Sequence, residues 1–274
     1  MIYKIAHISD LHIDRKNKIL TERFDNLLKD IAKNKIDHIF ITGDIVHNPG
    51  KSDYDAVIKK LKKYGYLSRD RLSVCPGNHE IYGGAEHGGK SYLFPTQCKS
   101  TDTKKRTEEF CTYFRETFPK EQKGFPYVKE IENLVIFGLN SVADWSLDGN
   151  PIGSNGEITD KEILNLKKLF NNRKYTGKSK IALIHHHFYY KSLYKEDEVF
   201  SNWLYSERGT MQLQNRKNII NLFKSCGIKL VFHGHTHINE TYKRSNIRFI
   251  NSSGCLLPFS KKREYEYGII NCLI

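Results

Sequence analysis

A chain of 274 residues that is 39% hydrophobic and 27% charged has ordinary globular composition and enough apolar material for a substantial core. It has no apolar run of 18 residues, which excludes a membrane-spanning helix, and no Cys-x-x-Cys pair among its six scattered cysteines, which argues against a thiolate zinc site. The net charge of +13 admits nucleic acid as a partner, although 32 of the 44 basic residues are lysines and the basic runs, at 59–63, 104–106 and 261–263, are separate.

Residues 1–6 enter a strand pattern with no basic segment, apolar stretch and small-residue cleavage site, so a cytoplasmic chain is expected. The first strand is predicted over 3–9 and ends in Asp10-Leu11-His12. In an extended segment residues two apart share a face, so Asp10 and His12 are expected to converge on one ion. A carboxylate beside an imidazole suits a divalent transition metal. A helix over 20–34 follows, with Phe24, Leu27, Leu28 and Ile31 on one side. The second strand, 36–42, ends in Gly43-Asp44, and a right-handed strand–helix–strand connection puts Asp44 at the same sheet edge as Asp10. A helix over 52–64 leads to a third strand at 70–75, which Pro76 and Gly77 stop. Asn78, His79 and Glu80 therefore stand beyond a strand end, where open α/β sheets place their ligands.

Residues 81–126 are the least regular part. The glycine-rich run 82–89 lacks the Walker spacing, so no P-loop is expected. A helix over 104–118 carries Phe110, Tyr113, Phe114 and Phe118 as a core-facing stripe, and 81–126 as a whole reads as a lid or specificity insertion. Strands at 127–131 and 134–139 open a second half of similar grammar. Thr159 and Glu162 have capping-box spacing at the start of a helix that runs to 171. A buried strand, 180–184, ends in His185-His186-His187. After a helix over 214–226, a strand at 228–232 ends in His233-Gly234-His235-Thr236-His237, with the same two-residue stagger as Asp10 and His12. Tail strands at 247–251 and 267–273 are expected to close the second sheet. With no internal repeat or low-complexity linker, 1–274 is read as one domain.

The ligands gathered at strand ends are Asp10, His12, Asp44, Asn78, His185, His235 and His237. They are too many for one tetrahedral ion and suit two adjacent ions that share a carboxylate. Such a pair activates water and stabilises charge on phosphoryl oxygens, and a nearby imidazole that is not a ligand can protonate the leaving group. Asp10-x-His12, Gly43-Asp44, Gly77-Asn78-His79-Glu80, His185 and Gly234-His235-x-His237 resemble the five ordered motifs of the calcineurin-like metallophosphoesterase superfamily, and they span nearly the whole chain.

The resemblance implies an α/β fold, a four-layer α-β-β-α sandwich of two mixed sheets flanked by helices. It implies one metal on Asp10, His12, Asp44 and His237, and a second that shares Asp44 and takes Asn78, His185 and His235. It implies His79 as the catalytic imidazole. The family's ligand at the histidine run is the first residue, which selects His185 over His186. His187 falls at the family's proline position. Manganese, iron and zinc all suit the donor set. The expected substrate is a phosphate ester, a phosphodiester of a nucleotide or cyclic nucleotide, attacked by metal-bound hydroxide with His79 assisting the leaving group. The alternatives are a nuclease of the same superfamily and an inactive scaffold. Specificity is expected in 81–126 and 188–210.

The chain also departs from the family pattern. Many members have an aspartate three residues after the shared one, where it orients the catalytic imidazole. Here that place is His47, which leaves Glu80 and Asp55 to orient His79. Pro76 stands where serine/threonine phosphatases have arginine, against a phosphoprotein substrate. Gly153-Ser154-Asn155-Gly156 is similar to a turn in bacterial cyclic-nucleotide phosphodiesterase-like members. His7, His38 and His233 read as structural.

Overall fold

Side chains alternate between two buried surfaces along the central strands, and that alternation generates the layers. The computed structural model describes residues 2–85, 93–188, 211–252, 254–256 and 265–273. Parts of both expected specificity segments lie outside them. The strands are β1 (Ile2–Ile8), β2 (His38–Thr42), β3 (Leu72–Cys75), β4 (Tyr127–Ile131), β5 (Leu134–Gly138), β6 (Ser179–Leu183), β7 (Ile228–His233), β8 (Glu240–Arg244), β9 (Ile247–Asn251) and β10 (Gly268–Leu273). The helices are α1 (Lys18–Lys33), α2 (Lys51–Lys63), α3 (Asn78–Ile81), α4 (Phe94–Ser100), α5 (Thr103–Tyr113), α6 (Asp160–Phe170) and α7 (Arg216–Ser225).

Four strands form one sheet in the order β10-β1-β2-β3, and six form a second in the order β4-β5-β6-β7-β9-β8. The run β1-β2-β3 is parallel and β10 is antiparallel to β1, pairing Ile5 with Ile270. The second sheet has a parallel centre, β5-β6-β7-β9, with antiparallel β4 and β8 at its edges. Ile39 and Ile41 of β2 pack toward α1, α2 and α5, while Phe40 faces the other sheet. There it meets Ile136, Leu183 and Phe232. Val135, Phe137 and Ala182 point the other way, onto Leu166 and Phe170 of α6 and Phe223 of α7. Three apolar layers thus hold four layers of structure, and each fully buried Phe, Ile or Leu contributes roughly 1.5–3 kcal/mol of transfer free energy.

The predicted elements fall within a few residues of those observed. Asn17 caps α1 through the Leu20 amide, and Phe24, Leu27, Leu28 and Ile31 are its buried face. The Thr159–Glu162 capping box is formed, with Thr159 N donating to Glu162 Oε2 at 3.0 Å and Glu162 N to Thr159 Oγ1 at 3.3 Å. Other expectations are corrected. Strand β10 joins the first sheet, not the second, because β1 offers it an open edge. The helix expected over 104–118 ends at Tyr113, and a 3-10 turn at Arg115–Thr117 continues it. Strand β8 and helices α3 and α4 had no prediction. The aromatic stripe of α5 is core, with Tyr113 stacked on Tyr54 at 4.2 Å. All six cysteines are free, and four of them are buried. Among the described residues no helix is long and apolar enough to cross a membrane.

Candidate active site

Parallel pairing brings the C-terminal ends of β1, β2 and β3 to one edge and those of β6 and β7 to the facing edge, so the motifs at those ends meet across the inter-sheet layer. Convergence of Asp10 with His12, and of His235 with His237, does not come from extended alternation as expected. All four residues have left-handed backbones, with φ of 54°, 45°, 78° and 54°, and Asp44 is also left-handed at 50°. Non-glycine residues are uncommon in that region, and strained backbone gathers at functional sites. Backbone hydrogen bonds hold the geometry: Asp10 N donates to Gly43 O at 3.1 Å and His12 N to Asp44 O at 2.9 Å. Gly43 has φ of +94°, and a Cβ there would lie 2.4 Å from His185 Nδ1. Only glycine lets the imidazole approach so closely.

Two groups of donors result: Asp10 with His12 and His237, and Asp44 with His185 and His235, each with its ligand atoms within 4.8 Å of one another. Asp44 Oδ2 stands between them, 3.8 Å from His12 Nε2 and 3.4 Å from His185 Nε2. His237 Nε2 lies 3.5 Å from Asp10 Oδ1 and 3.0 Å from His12 Nε2. His235 Nδ1 lies 3.0 Å from His185 Nε2.

This donor set fits metal ions. His185 Nδ1 donates to Thr42 O at 2.7 Å, so its Nε2 carries the lone pair in the neutral ring. That Nε2 faces two acceptors, Asp44 Oδ2 and, at 3.1 Å, Asn78 Oδ1. Two acceptors around a lone pair call for a cation, and a ring N–H bound to a backbone carbonyl is the usual support of a metal-ligating histidine. Without metal a proton serves. Burial opposes it, but the Asp44 carboxylate outweighs burial and raises the His185 pKa to about 9. For Asp44 itself burial pushes upward, and His185 and His79 hold the carboxyl well below its usual range.

Glu80 and His47 have roles that sequence reasoning missed. Neither Glu80 nor Asp55 orients His79. Asp55 is exposed on α2. Glu80 is fully buried and accepts the backbone N–H groups of Asp44, Ile45, Val46 and Gly77 at 2.7–2.9 Å. The His79 ring is held by the backbone of His47 instead: His79 Nδ1 donates to His47 O at 2.9 Å. A carbonyl only accepts, so Nδ1 carries the proton and Nε2 is turned toward Asp44 Oδ2, 4.0 Å away. The His79 amide also donates to Asp44 Oδ1 at 2.9 Å.

The three consecutive histidines diverge. His185 enters the cluster. His186 turns its Nδ1 to Ser141 Oγ at 2.8 Å, and His187 lies buried with Nε2 3.4 Å from Glu240 Oε1. The structural histidines are bonded as expected, His7 to Thr42, His38 to Ser73 and His233 to Tyr242, each at 2.9 Å. Of the basic runs, 59–63 lies on α2, where Lys60 and Lys63 pair with Asp25 and Lys62 with Glu116. The run 261–263 lies outside the described residues.

The profile of the calcineurin-like phosphoesterase family matches residues 3–239, and the chain belongs to that family. It is a metal-dependent phosphoester hydrolase. A probable cyclic nucleotide phosphodiesterase of Coxiella burnetii is 25% identical over 279 residues, covering 98% of this chain and 91% of its own. A dimetal phosphatase from Danio rerio has a TM-score of 0.58 at 11% identity, over 92% of this chain and 88% of that one. Purple acid phosphatase from yellow lupin (Lupinus luteus) has a TM-score of 0.63 at 13% identity, over 99% of this chain and 49% of that one. At such identities the two structures share the fold, a mixed α/β sandwich of two sheets flanked by helices.

Proposed function

We propose that the chain hydrolyses a phosphodiester of a nucleotide or cyclic nucleotide at two metal ions, one on Asp10, His12, Asp44 and His237, the other on Asp44, Asn78, His185 and His235. The observation that carries this reading is Asp44 Oδ2, within 3.8 Å of an imidazole nitrogen from each donor group. Manganese, iron or zinc would suit these mixed oxygen and nitrogen donors. Bound there, such a pair supplies an activated water and neutralises charge on the phosphoryl oxygens. The chain's own residues do the rest. Thr42 O and the Asp44 loop hold His185 in place. His79, with Nδ1–H fixed on His47 O, presents Nε2 to the mouth of the site, where its protonated form can give a proton to the departing alkoxide.

The name of the Coxiella relative supports a cyclic nucleotide as substrate. The loop at 48–50, next to His47, walls a pocket of about 540 Å³ with Tyr82, Gln97 and Arg106, a volume in the range of small-molecule sites. The segments 81–126 and 188–210 are proposed to set specificity, the first as an insertion within a single domain.

The test is hydrolysis of bis-p-nitrophenyl phosphate and p-nitrophenyl phosphate by the manganese-loaded chain, with His79→Ala alongside. A preference for the diester, lost by about 100-fold or more in the variant, is expected. A preference for the monoester would exclude the diesterase reading.

A further inference from the structure

We propose that His47 is a second imidazole that touches the substrate, donating a hydrogen bond to a phosphoryl oxygen beside His79. The proposal rests on the phosphoesterase reading above and adds a residue to it. His47 takes the place where many members of the family have an aspartate, and its side chain is not needed for that aspartate's work, since its backbone carbonyl already takes the His79 Nδ1–H at 2.9 Å.

The ring is instead turned into the site. His12, His47 and His79 each bring a ring nitrogen to a point where the three lie within 4.8 Å of one another. The His47 ring centroid is 5.2 Å from that of His79 and 6.2 Å from that of His12. His47 is half-buried, with a fixed seat. Its amide donates to Ile13 O at 3.0 Å, and its carbonyl also takes the Gly84 amide at 2.9 Å. The ring lies against Gly84, where a Cβ would come 2.3 Å from Cε1.

A carboxylate can only accept hydrogen bonds, whereas a neutral imidazole carries one N–H donor. With His in place of Asp, the position gains an N–H donor for a phosphoryl oxygen. The ligand chemistry is an anionic phosphoryl group at the mouth of the metal pair, flanked by two imidazoles.

The experiment uses the manganese-loaded chain and its His47→Ala, His47→Asn and His47→Asp variants. Inorganic phosphate binding is measured by titration calorimetry, bound metal by elemental analysis, and KM and kcat with bis-p-nitrophenyl phosphate. Loss of one hydrogen bond to a charged group corresponds to roughly tenfold weaker phosphate binding and a similar rise in KM in His47→Ala. The amide N–H of His47→Asn is expected to restore much of that loss, and His47→Asp to bind phosphate more weakly than His47→Ala. Metal content is expected to be equal in all four proteins. Wild-type phosphate affinity in His47→Ala would overturn the assignment, as would a fall in kcat alone or the loss of a metal equivalent, which would make His47 a positioning group or a ligand. If the wild-type chain itself neither bound phosphate nor hydrolysed the diester, the proposed function would fall and this assignment with it.

Discussion

Glu80 accepts the Asp44 amide at 2.8 Å, and through the same carboxylate it takes the amides of Ile45, Val46 and Gly77. One buried acid therefore ties the loop carrying Asp44 to the turn that leads into Asn78 and His79. Each oxygen accepts two of these amides, which favours the carboxylate, while burial and the neighbouring Asp44 carboxylate push the Glu80 pKa up to about 8. Glu80→Gln would turn an NH2 group toward backbone donors. About 3 kcal/mol of stability is expected to be lost, or about 6–12 °C in melting temperature for a domain of this size. A melting curve shifted by less than about 2 °C would show that the clamp is dispensable.

Close packing around Asp44 makes a second prediction. A Cβ on Gly77 would lie 2.2 Å from Asp44 Oδ1 and 2.8 Å from His185 Cε1. One on Gly234 would lie 2.4 Å from Asp10 Oδ2. Alanine at either glycine must displace a carboxylate of the cluster, and a shift of about 1 Å at such a site costs on the order of 100-fold in rate. Gly268→Ala, which meets nothing within 4 Å, is the control. Steady-state rates on bis-p-nitrophenyl phosphate compare the three, and equal rates would mean that the cluster tolerates movement the geometry forbids.

Acid sensitivity should come in part from two buried histidines outside the site, beside His12 and His235 within it, whose pKa values burial also pushes well down. Burial pushes the pKa values of His7 and His38 down to about 3, from 6.5 in the unfolded chain. A depressed histidine pKa means that the unfolded chain binds the extra proton. The stability these residues share in is complete above pH 6.5 and is lost as pH falls toward 3, at about 1.4 kcal/mol per pH unit for each. Thermal melts between pH 7 and pH 4 should show this slope, and His38→Gln should flatten it relative to the wild-type chain. An unchanged slope in the variant would place the acid sensitivity elsewhere.

Much of this molecule is legible in its sequence. Buried strands read as apolar runs because both their faces are covered, and the ligands stand at their ends because that is where the helices and loops leave space. Strand β8 was not legible: Glu-Thr-Tyr-Lys-Arg is an edge strand with no buried residue, so no period marks it. The place of β10 was not legible either, because its partner, β1, lies at the other end of the chain and only tertiary packing selects it. The left-handed turns at Asp10, His12 and Asp44 carry no glycine signal, since the residues there are chosen for chemistry and the backbone bears the cost. The grip of His47 on His79 runs through a main-chain carbonyl, which every residue possesses, so no side-chain pattern could announce it.

Metal stoichiometry separates the two donor groups. Asp10→Asn removes charge from one group alone, and the variant is expected to keep one ion and lose the other. Asp44→Ala removes the carboxylate next to both groups and is expected to weaken both. Elemental analysis after equilibration with manganese reads the outcome. Full occupancy in Asp44→Ala would exclude Asp44 as a shared ligand.

The two-metal reading of the cluster is tested most directly by adding Mn²⁺ to the metal-stripped chain while following hydrolysis of bis-p-nitrophenyl phosphate. Activity absent without metal and reaching its plateau near two equivalents per chain is the expected result. Hydrolysis that proceeds without metal, or that saturates at one equivalent, would contradict it.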